Sequence, residues 1–251
     1  MATPRTINPA FAPVLFWDID GTLLTTDRAG MVAWNQAVKE LTGHDFDLKT
    51  AIRTPGFTDH QIADRTFAVL GLQPGPGDIE RLVGRYEELL PSSLPLRNGR
   101  VLDNVREILE VLQRERPEVR SYLLTGNTRA GAAAKLTHYE LMHFFPEGAF
   151  CIDTGARAGI AKRALEMARL AGPVHHEAVI VIGDTPHDIE CANAIGAKTI
   201  AVATGGYSLD ELQPHGPWRA FEVLPEPASF LDLLDSLPGA GGSEPESDAR
   251  A

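Results

Sequence analysis

An apolar segment that runs directly into two closely spaced acids constrains the fold of this chain more than any other feature. Residues 14–17 have the composition of a buried strand, and Asp18 and Asp20 follow at once, with Gly21 and Thr22 behind them. Side chains at positions i and i+2 of an extended segment point to the same side. Carboxylates at the end of a buried strand are unfavourable unless they bind a cation or a cationic group. The string therefore predicts a chemical site at the end of the first strand.

Two later apolar segments end in the same way. Residues 121–124 lead into Thr125, residues 178–182 lead into Gly183 and Asp184, and helical spacing follows each of them. Short apolar runs of this kind are typical of strands buried on both faces of a parallel sheet. Ligands of such sheets bind at the carboxyl ends of the strands, near the point where the strand order reverses. We therefore expect three strand ends to meet in one crevice.

The alternation of strand-like and helical segments predicts an α/β fold built on a doubly wound parallel sheet. Residues 25–92 carry helical periodicity without a strand signal, and they predict a helical cap inserted after the first strand. The predicted α/β core is then residues 1–24 and 93–237. Residues 238–251 are rich in Gly, Ser, Glu and Pro, and we expect this tail to be disordered.

Caps and periodicity also predict the single elements. Helices are predicted over residues 28–41, 58–70, 78–90, 101–113, 128–139, 159–170, 186–195, 208–212 and 228–237. Strands are predicted over residues 14–17, 119–124, 149–152, 178–182, 198–203 and 221–224.

Charge and cysteine content limit the partners and the compartment. The net charge of −11 on 251 residues disfavours a nucleic acid or an anionic membrane surface as partner, although a local cation still permits a small anionic substrate.

Cys151 and Cys191, the only cysteines, are expected to be free and buried. Residues 1–12 lack the apolar core of a signal peptide, and no stretch reaches the length of a membrane span. We expect a cytoplasmic monomer or homodimer.

The motifs resemble those of the haloacid dehalogenase superfamily, on the branch similar to phosphoglycolate phosphatase and β-phosphoglucomutase. The matching positions are Asp18, Asp20, Gly21 and Thr22 in the first motif, Thr125 followed by Gly126 and Asn127 in the second, and Gly183, Asp184 and Asp188 in the fourth. Their order and spacing fit, and they span most of the chain. The resemblance implies a Rossmann-like core with a helical cap.

The resemblance further implies a Mg²⁺-dependent phosphatase that acts on a small phosphorylated metabolite. Asp18 would attack phosphorus and form an aspartyl-phosphate, and Asp20 would serve as general acid and then as general base. Asp18, Asp184 and the backbone carbonyl of Asp20 would bind Mg²⁺, which prefers oxygen ligands. Asp188 would contact water at the metal or orient a basic residue.

Other positions are assigned to the substrate. The hydroxyl of Thr125 and the backbone of Gly126 and Asn127 would form an anion site at a helix start. Arg53 and Thr58 would face the active site from the cap.

The basic residue of the third motif has two candidates. Arg157 is expected in the loop before a helix and Lys162 inside that helix, and neither shows the family pattern of a lysine followed by a proline. We favour Arg157, because a residue at the loop or first turn can reach the carboxyl edge of the sheet more easily.

Three further functions stay open at this stage. A phosphomutase of the β-phosphoglucomutase type shares the acid pair and the cap. A haloacid dehalogenase normally lacks the second acid of the first motif, so Asp20 argues against it. A non-catalytic binding protein of this fold would have no need of the complete set of acids.

Overall fold

The structure, a computed structural model, describes residues 11–238. The strands are β1 (Val14–Trp17), β2 (Leu24–Thr25), β3 (Arg100–Val101), β4 (Arg120–Leu124), β5 (Gly148–Ala149), β6 (Val179–Gly183), β7 (Lys198–Val202) and β8 (Arg219–Phe221). The α-helices are α1 (Ala29–Thr42), α2 (Leu48–Ala51), α3 (Asp59–Val69), α4 (Asp78–Ser93), α5 (Val105–Glu115), α6 (Arg129–His138), α7 (Arg157–Ala171), α8 (Pro186–Ala194), α9 (Leu209–Leu212) and α10 (Pro227–Asp235).

Six strands form one parallel sheet in the order β5-β4-β1-β6-β7-β8. The chain runs from β1 through β4 to β5, and then returns to β6 on the other side of β1. The strand order therefore reverses around β1, and a crevice is expected at the carboxyl ends of β1, β4 and β6. This arrangement confirms the predicted doubly wound parallel sheet.

Strand β1 is buried on both faces, as its continuous apolar sequence predicts. Leu15 and Trp17 point into the larger hydrophobic core, and Trp17 stacks on Phe230 of α10 with ring centroids 5.9 Å apart. Val14 and Phe16 point into the core on the opposite face of the sheet, as the two-residue period of a strand requires. A strand enclosed in this way fixes the position of the acids that follow it.

The helices α1–α4 form an insert between β2 and β3. These two short strands pair antiparallel, with Leu24 opposite Val101 and Thr25 opposite Arg100. The chain therefore leaves and re-enters the core through one two-stranded ribbon. We call residues 26–99 the helical insert; the predicted cap boundaries at residues 25 and 92 remain predictions.

The insert has an interior of its own that joins the larger core. Trp34 of α1 packs on Tyr86 of α4 with ring centroids 5.0 Å apart. The indole N–H of Trp34 donates a hydrogen bond of 3.1 Å to the Thr66 hydroxyl of α3. Three helices are thus tied together by one buried aromatic residue.

Several predicted bounds need correction. The helix predicted over residues 101–113 begins only at Val105, because Val101 belongs to β3 and the backbone N–H of Leu102 donates to the carbonyl oxygen of Leu23. Asn104, with φ of 65°, makes the left-handed turn into the helix.

Other differences are shifts by a few residues. The strand predicted over 221–224 is Arg219–Phe221, and the strand over 149–152 is Gly148–Ala149, since the N–H of Cys151 already bonds the carbonyl of Asn127 in a loop. Helix α7 begins at Arg157 and not at residue 159.

Two expectations fall largely outside the described range. The disorder predicted for residues 238–251 concerns, apart from Pro238, residues that the structure does not describe. The interpretation of the amino terminus falls mainly on residues 1–10, which also lie outside the described range. Within residues 11–238, no helix combines the length and the apolar character that crossing a bilayer would need.

Candidate active site

A cleft between the sheet and the helical insert collects buried polar side chains from three strand ends. Asp18 follows β1, Thr125 follows β4 and Asp184 follows β6, and all three are buried. The backbone N–H of Asp18 still bonds the carbonyl of Ile182, at 3.0 Å, so the sheet holds the chain up to this acid. The cleft encloses about 360 Å³. The expected meeting of three strand ends is what the structure shows.

Three carboxylates lie together at the base of the cleft. Asp18, Asp184 and Asp188 each offer an oxygen within 4.8 Å of the others. Burial and the charge of Asp188 raise the pKa of Asp18 to about 7, against the opposing charge of Arg157. Burial also raises the pKa of Asp184 well above its ordinary value. A cluster of this kind favours the binding of a cation, because a cation stabilises the charged forms.

The donor set of this cluster fits a hard divalent cation such as Mg²⁺. Within the described residues, Asp184 Oδ1 is buried and has no hydrogen-bond partner. A Cβ atom added to Gly205 would overlap the Asp184 carboxylate, so the absence of a side chain at position 205 makes room for this acid. Carboxylate oxygens are the ligands that Mg²⁺ prefers. The third carboxylate of the cluster comes from Asp188, and the ligand predicted from Asp20 is its backbone carbonyl.

Arg157 is the basic residue nearest to Asp18. It occupies the first position of α7, is buried, and places Nη2 2.5 Å from Asp188 Oδ1 and 3.5 Å from Asp18 Oδ1. Burial works to lower the pKa of Arg157, but the charges of Asp188 and Asp18 outweigh it and raise the pKa. Lys162 lies exposed on the same helix, outside the cleft lining.

Asp188 is fixed from two sides. Its Oδ2 accepts hydrogen bonds from the backbone N–H and the hydroxyl of Thr185, at 3.0 and 2.6 Å, in the capping box of α8. Its Oδ1 faces Arg157. Asp188 therefore orients the guanidinium, which is one of the two roles expected for it.

Lys135 is a site residue that the sequence analysis missed. It lies on α6, is 4% exposed, and places Nζ 2.5 Å from Asp20 Oδ2 and 2.6 Å from Asn127 Oδ1. Burial works to lower its pKa, but the charge of Asp20 and its neighbours raises it. A signal existed, since Lys135 shares the buried face of α6 with Ala132 and Leu136, where a lysine is rarely found without a partner.

The loop after β4 carries the remaining predicted residues. Asn127 Nδ2 donates to Asp20 Oδ2 and to the Thr125 hydroxyl, both at 2.9 Å. Gly126 lies directly under the insert, and a Cβ atom there would stand 2.8 Å from the carbonyl oxygen of Phe57. Asn127 thus orients Asp20, and Gly126 permits the close approach of the insert.

Arg53 and Thr58 do not line this cleft. The Thr58 hydroxyl accepts from the backbone N–H of Gln61 at 3.2 Å in the capping box of α3, and Thr58 is fully buried. The Arg53 guanidinium lies 4.5 Å from the ring centroid of Tyr207, in a second cavity of about 530 Å³ that His187 also lines. The structure assigns Thr58 to helix capping and Arg53 to a neighbouring surface.

Comparison with known proteins adds a family and a set of similar folds. A family profile described as haloacid dehalogenase-like hydrolase matches residues 14–202. Among curated protein sequences, no significant match to the chain was found.

Solved structures give good matches at low identity. A HAD hydrolase of family IA, variant 3, from Entamoeba histolytica is 19% identical with a TM-score of 0.68, covering 89% of this chain and 99% of that one. A predicted phosphatase from Clostridium acetobutylicum is 15% identical with a TM-score of 0.67 and the same coverage. CbbY from Rhodobacter sphaeroides, in complex with phosphate, is 17% identical with a TM-score of 0.65, covering 84% of this chain and 94% of that one. At such identities these likenesses show a shared fold.

Proposed function

The chain belongs to the haloacid dehalogenase-like hydrolases, and on this basis we propose that it is a Mg²⁺-dependent phosphatase that hydrolyses a small phosphorylated metabolite through an aspartyl-phosphate. The family match confirms the resemblance seen in the motifs. One observation carries the proposal: the buried carboxylate of Asp18 lies 3.5 Å from the buried guanidinium of Arg157, at the base of a cleft. This pairing suits an acid that attacks a highly charged group.

In the first half of the reaction, a carboxylate oxygen of Asp18 bonds to phosphorus while the bond from phosphorus to the leaving oxygen breaks. The transferring group carries charge on several oxygens, which positive and polar groups stabilise. Arg157 supplies a fixed positive charge beside Asp18, and the Thr125 hydroxyl lies next to the same acid.

Asp20 transfers the protons in both halves of the reaction. It donates a proton to the leaving oxygen, and later accepts one from the water that attacks the phosphorus of the aspartyl-phosphate. This second attack releases inorganic phosphate and restores Asp18. Lys135 and Asn127 both hold Oδ2 of Asp20. No described residue binds Oδ1, so this oxygen is available for the proton.

Asp18 and Asp184 are the side chains that would hold Mg²⁺, together with the backbone carbonyl of Asp20. When bound, Mg²⁺ neutralises the carboxylate cluster and stabilises charge on the transferring phosphoryl oxygens. Asp188 supports this set by holding Arg157 in place. The helical insert, in this proposal, is a cap that closes the cleft over the substrate.

The test measures phosphate release from p-nitrophenyl phosphate, with Mg²⁺ and with EDTA. We expect release only with Mg²⁺, and no measurable turnover by Asp18→Asn. Asp64→Asn, which changes an exposed acid on α3, is the matched control and should keep wild-type activity. Acid-quenched single turnover with a ³²P-labelled substrate should leave label on the wild type and none on Asp18→Asn. Turnover by Asp18→Asn would exclude Asp18 as the nucleophile.

A further inference from the structure

The wall of the cleft that faces the acids is apolar. It consists of one or two side chains from each helix of the insert: Met31 and Trp34 from α1, Leu48 from α2, Ile62 from α3 and Tyr86 from α4. Apart from Met31, which is partly buried, these residues are less than 9% exposed, so their positions are set by packing. A substrate bound to Asp18 would direct its leaving group towards this wall.

The two aromatic residues of the wall offer few hydrogen bonds. The N–H of Trp34 is already used by the Thr66 hydroxyl, at 3.1 Å, so the indole contributes only apolar surface. Tyr86 packs on Trp34, and its hydroxyl is near Gly30, where a Cβ atom would stand 3.5 Å from it. Among the described residues, the helices of the insert present two polar groups to the cleft: the Tyr86 hydroxyl, and the carboxylate of Asp59 at the start of α3, whose Oδ2 already accepts a hydrogen bond from the backbone N–H of Thr128.

The cations and hydroxyls of the cleft lie elsewhere. Lys135 and Arg157 are engaged by the acids of the site. The remaining polar side chains on this side of the cleft lie outside the helices: Thr25 ends β2, Thr26 and Arg28 precede α1, and Thr54 precedes α3. A leaving group with many hydroxyls that packs against the helix wall would lose its water without finding partners there, which weakens binding.

We infer that the substrate is a phosphomonoester of an apolar alcohol, with a hydrocarbon ring or chain as its leaving group, and not the phosphate of a polyol or sugar. This inference rests on the proposed phosphatase function. The volume of about 360 Å³ lies near the lower end of the range for small-molecule sites. The alcohol is therefore a small one, about one ring with a short linker.

The test compares two substrates whose six-membered rings differ in their hydroxyl groups and in one ring oxygen. Cyclohexylmethyl phosphate and glucose 6-phosphate both carry a phosphate on a CH₂ group attached to a six-membered ring. Their leaving groups are primary alkoxides of similar reactivity, so a difference in kcat/KM reports on the wall. We expect kcat/KM to be at least tenfold higher for cyclohexylmethyl phosphate.

Variants locate the source of this preference. Met31→Gln puts an amide of similar size on the wall, and we expect it to reduce the ratio of the two kcat/KM values at least threefold. Leu41→Gln makes the same kind of change on an exposed residue of the same helix, and the ratio should stay as in the wild type. Thermal unfolding of both variants checks that they are folded.

The outcomes separate this inference from the proposed function. If p-nitrophenyl phosphate is hydrolysed but glucose 6-phosphate is turned over as well as cyclohexylmethyl phosphate, or better, the inference is wrong and the phosphatase function stands. An unchanged ratio in Met31→Gln also overturns it. If no phosphomonoester is hydrolysed, the proposed function fails, and the inference with it.

Discussion

Each acid of the pair that follows β1 has a buried cation of its own. Arg157 lies beside Asp18, and Lys135 lies beside Asp20. The two cations come from different helices, α7 and α6. In the proposed reaction, Arg157 would stabilise the phosphoryl group, whereas Lys135 would hold the acid that transfers the protons.

Replacement of Lys135 by methionine tests the second role. Lys135→Met keeps the length and burial of the side chain but removes the charge that holds Asp20 Oδ2. We expect kcat to fall at least tenfold, since a misplaced general acid loses much of its contribution, which is about 10²–10⁴-fold. Steady-state kinetics with p-nitrophenyl phosphate measure this, and circular dichroism checks the fold.

The control for this variant is Lys162→Met. Lys162 is exposed on α7 and lies outside the cleft, so its loss should leave kcat close to the wild-type value. Equal effects of the two substitutions, or a folded Lys135→Met enzyme of full activity, would remove Lys135 from the machinery of the site.

Asp184 gives a prediction on metal binding. Its buried Oδ1 lacks a partner among the described residues, and burial together with the charges of Asp188 and Asp18 raises its pKa. Asp184→Asn removes one charge from the cluster, and the variant should unfold at a higher temperature than the wild type in EDTA. Mg²⁺ at about 100 times its Kd should stabilise the wild type by about 2.7 kcal/mol, whereas Asp184→Asn should gain little.

Differential scanning fluorimetry with and without Mg²⁺ measures both effects. Ca²⁺ is a useful second ion, because its less demanding geometry tests the carboxylates without the octahedral requirement. An equal shift of Tm by Mg²⁺ in wild type and variant would show that Asp184 is not a ligand.

At the residue scale, the sequence predicted the acids and missed one cation for a clear reason. Asp18 and Asp184 directly follow apolar strands, so their position at the sheet edge depends only on local sequence. Lys135 becomes a site residue because α6 packs against the loop that carries Asn127. Its place on the buried face of α6 indicates a partner, but the local sequence does not say which one. The sequence identified Arg157 as a candidate but placed it in the loop before α7, whereas it is the first residue of that helix.

At the scale of elements, the start of α3 docks on the start of α6. Asp59 Oδ2 accepts a hydrogen bond of 2.8 Å from the backbone N–H of Thr128, and the N–H of Asp59 donates to the carbonyl of Gly126 at 3.0 Å. Glu87 of α4 also accepts a hydrogen bond from the Thr128 hydroxyl. Two helices of the insert thus place an acid at the amino-terminal end of one core helix, where negative charge is favourable.

The carboxyl of Asp59 makes this contact dependent on pH. Burial, with a smaller contribution from the charge of Asp20, raises the pKa of Asp59 to about 6, although the charge of Lys135 and the hydrogen bond from Thr128 oppose the shift. Because the folded pKa lies above the unfolded value of 3.8, the folded state holds the proton more tightly. The wild type therefore loses stability as pH rises from about 4 to 6, by about 3 kcal/mol at most.

Asp59→Asn tests the direction of this pH dependence of stability. The amide oxygen can still accept from Thr128, but it does not titrate. We expect the variant to gain stability over the wild type between pH 4.5 and pH 7.5, by about 1–3 kcal/mol, in denaturant unfolding at both values. Asp64→Asn on the same helix is exposed and should show no such pH-dependent gain. A gain that is the same at both pH values would contradict the raised pKa.

The helices with local caps followed from the sequence, whereas the short elements α2, β2 and β3 did not. Helices α1 and α3 lie within one residue of the predicted ranges 28–41 and 58–70, because their caps at Gly43 and Thr58 are local signals. Strand β3 has two residues and exists only because β2 lies beside it. A pairing between residues so far apart in the chain leaves no periodicity to detect, and Val101 was therefore assigned to the following helix.

At the scale of the whole molecule, the insert touches the core at contacts that surround the cleft. Arg157 donates to the carbonyl of Gly56 at 3.2 Å, and His60 Nδ1 lies 3.2 Å from Cys151 Sγ. The covalent link is only the β2–β3 ribbon. Because Asp18 and Asp184 are buried beneath the insert, we expect a substrate to enter while these contacts are open and the insert to move as a unit about the ribbon.

The two cysteines provide a test of this motion, because one lies at the moving interface and the other does not. Cys151 faces His60 of the insert, and although burial raises its pKa, hydrogen bonds from His60 and Thr58 outweigh burial and lower it. Cys191 lies in the core on α8, where burial raises its pKa to about 12. Since the thiolate is the reactive form, opening of the insert exposes a reactive thiol at Cys151 only.

We expect iodoacetamide to label Cys151 of the native protein well before Cys191, as followed by mass spectrometry of the tryptic peptides. Mg²⁺ with inorganic phosphate should slow the labelling of Cys151, because a ligand that bridges insert and core favours the closed state. The slow labelling of Cys191 should be unaffected, since it requires wider unfolding of the core. If both cysteines react at one rate, with or without phosphate, the insert does not open separately from the core, and the substrate must reach Asp18 by another path.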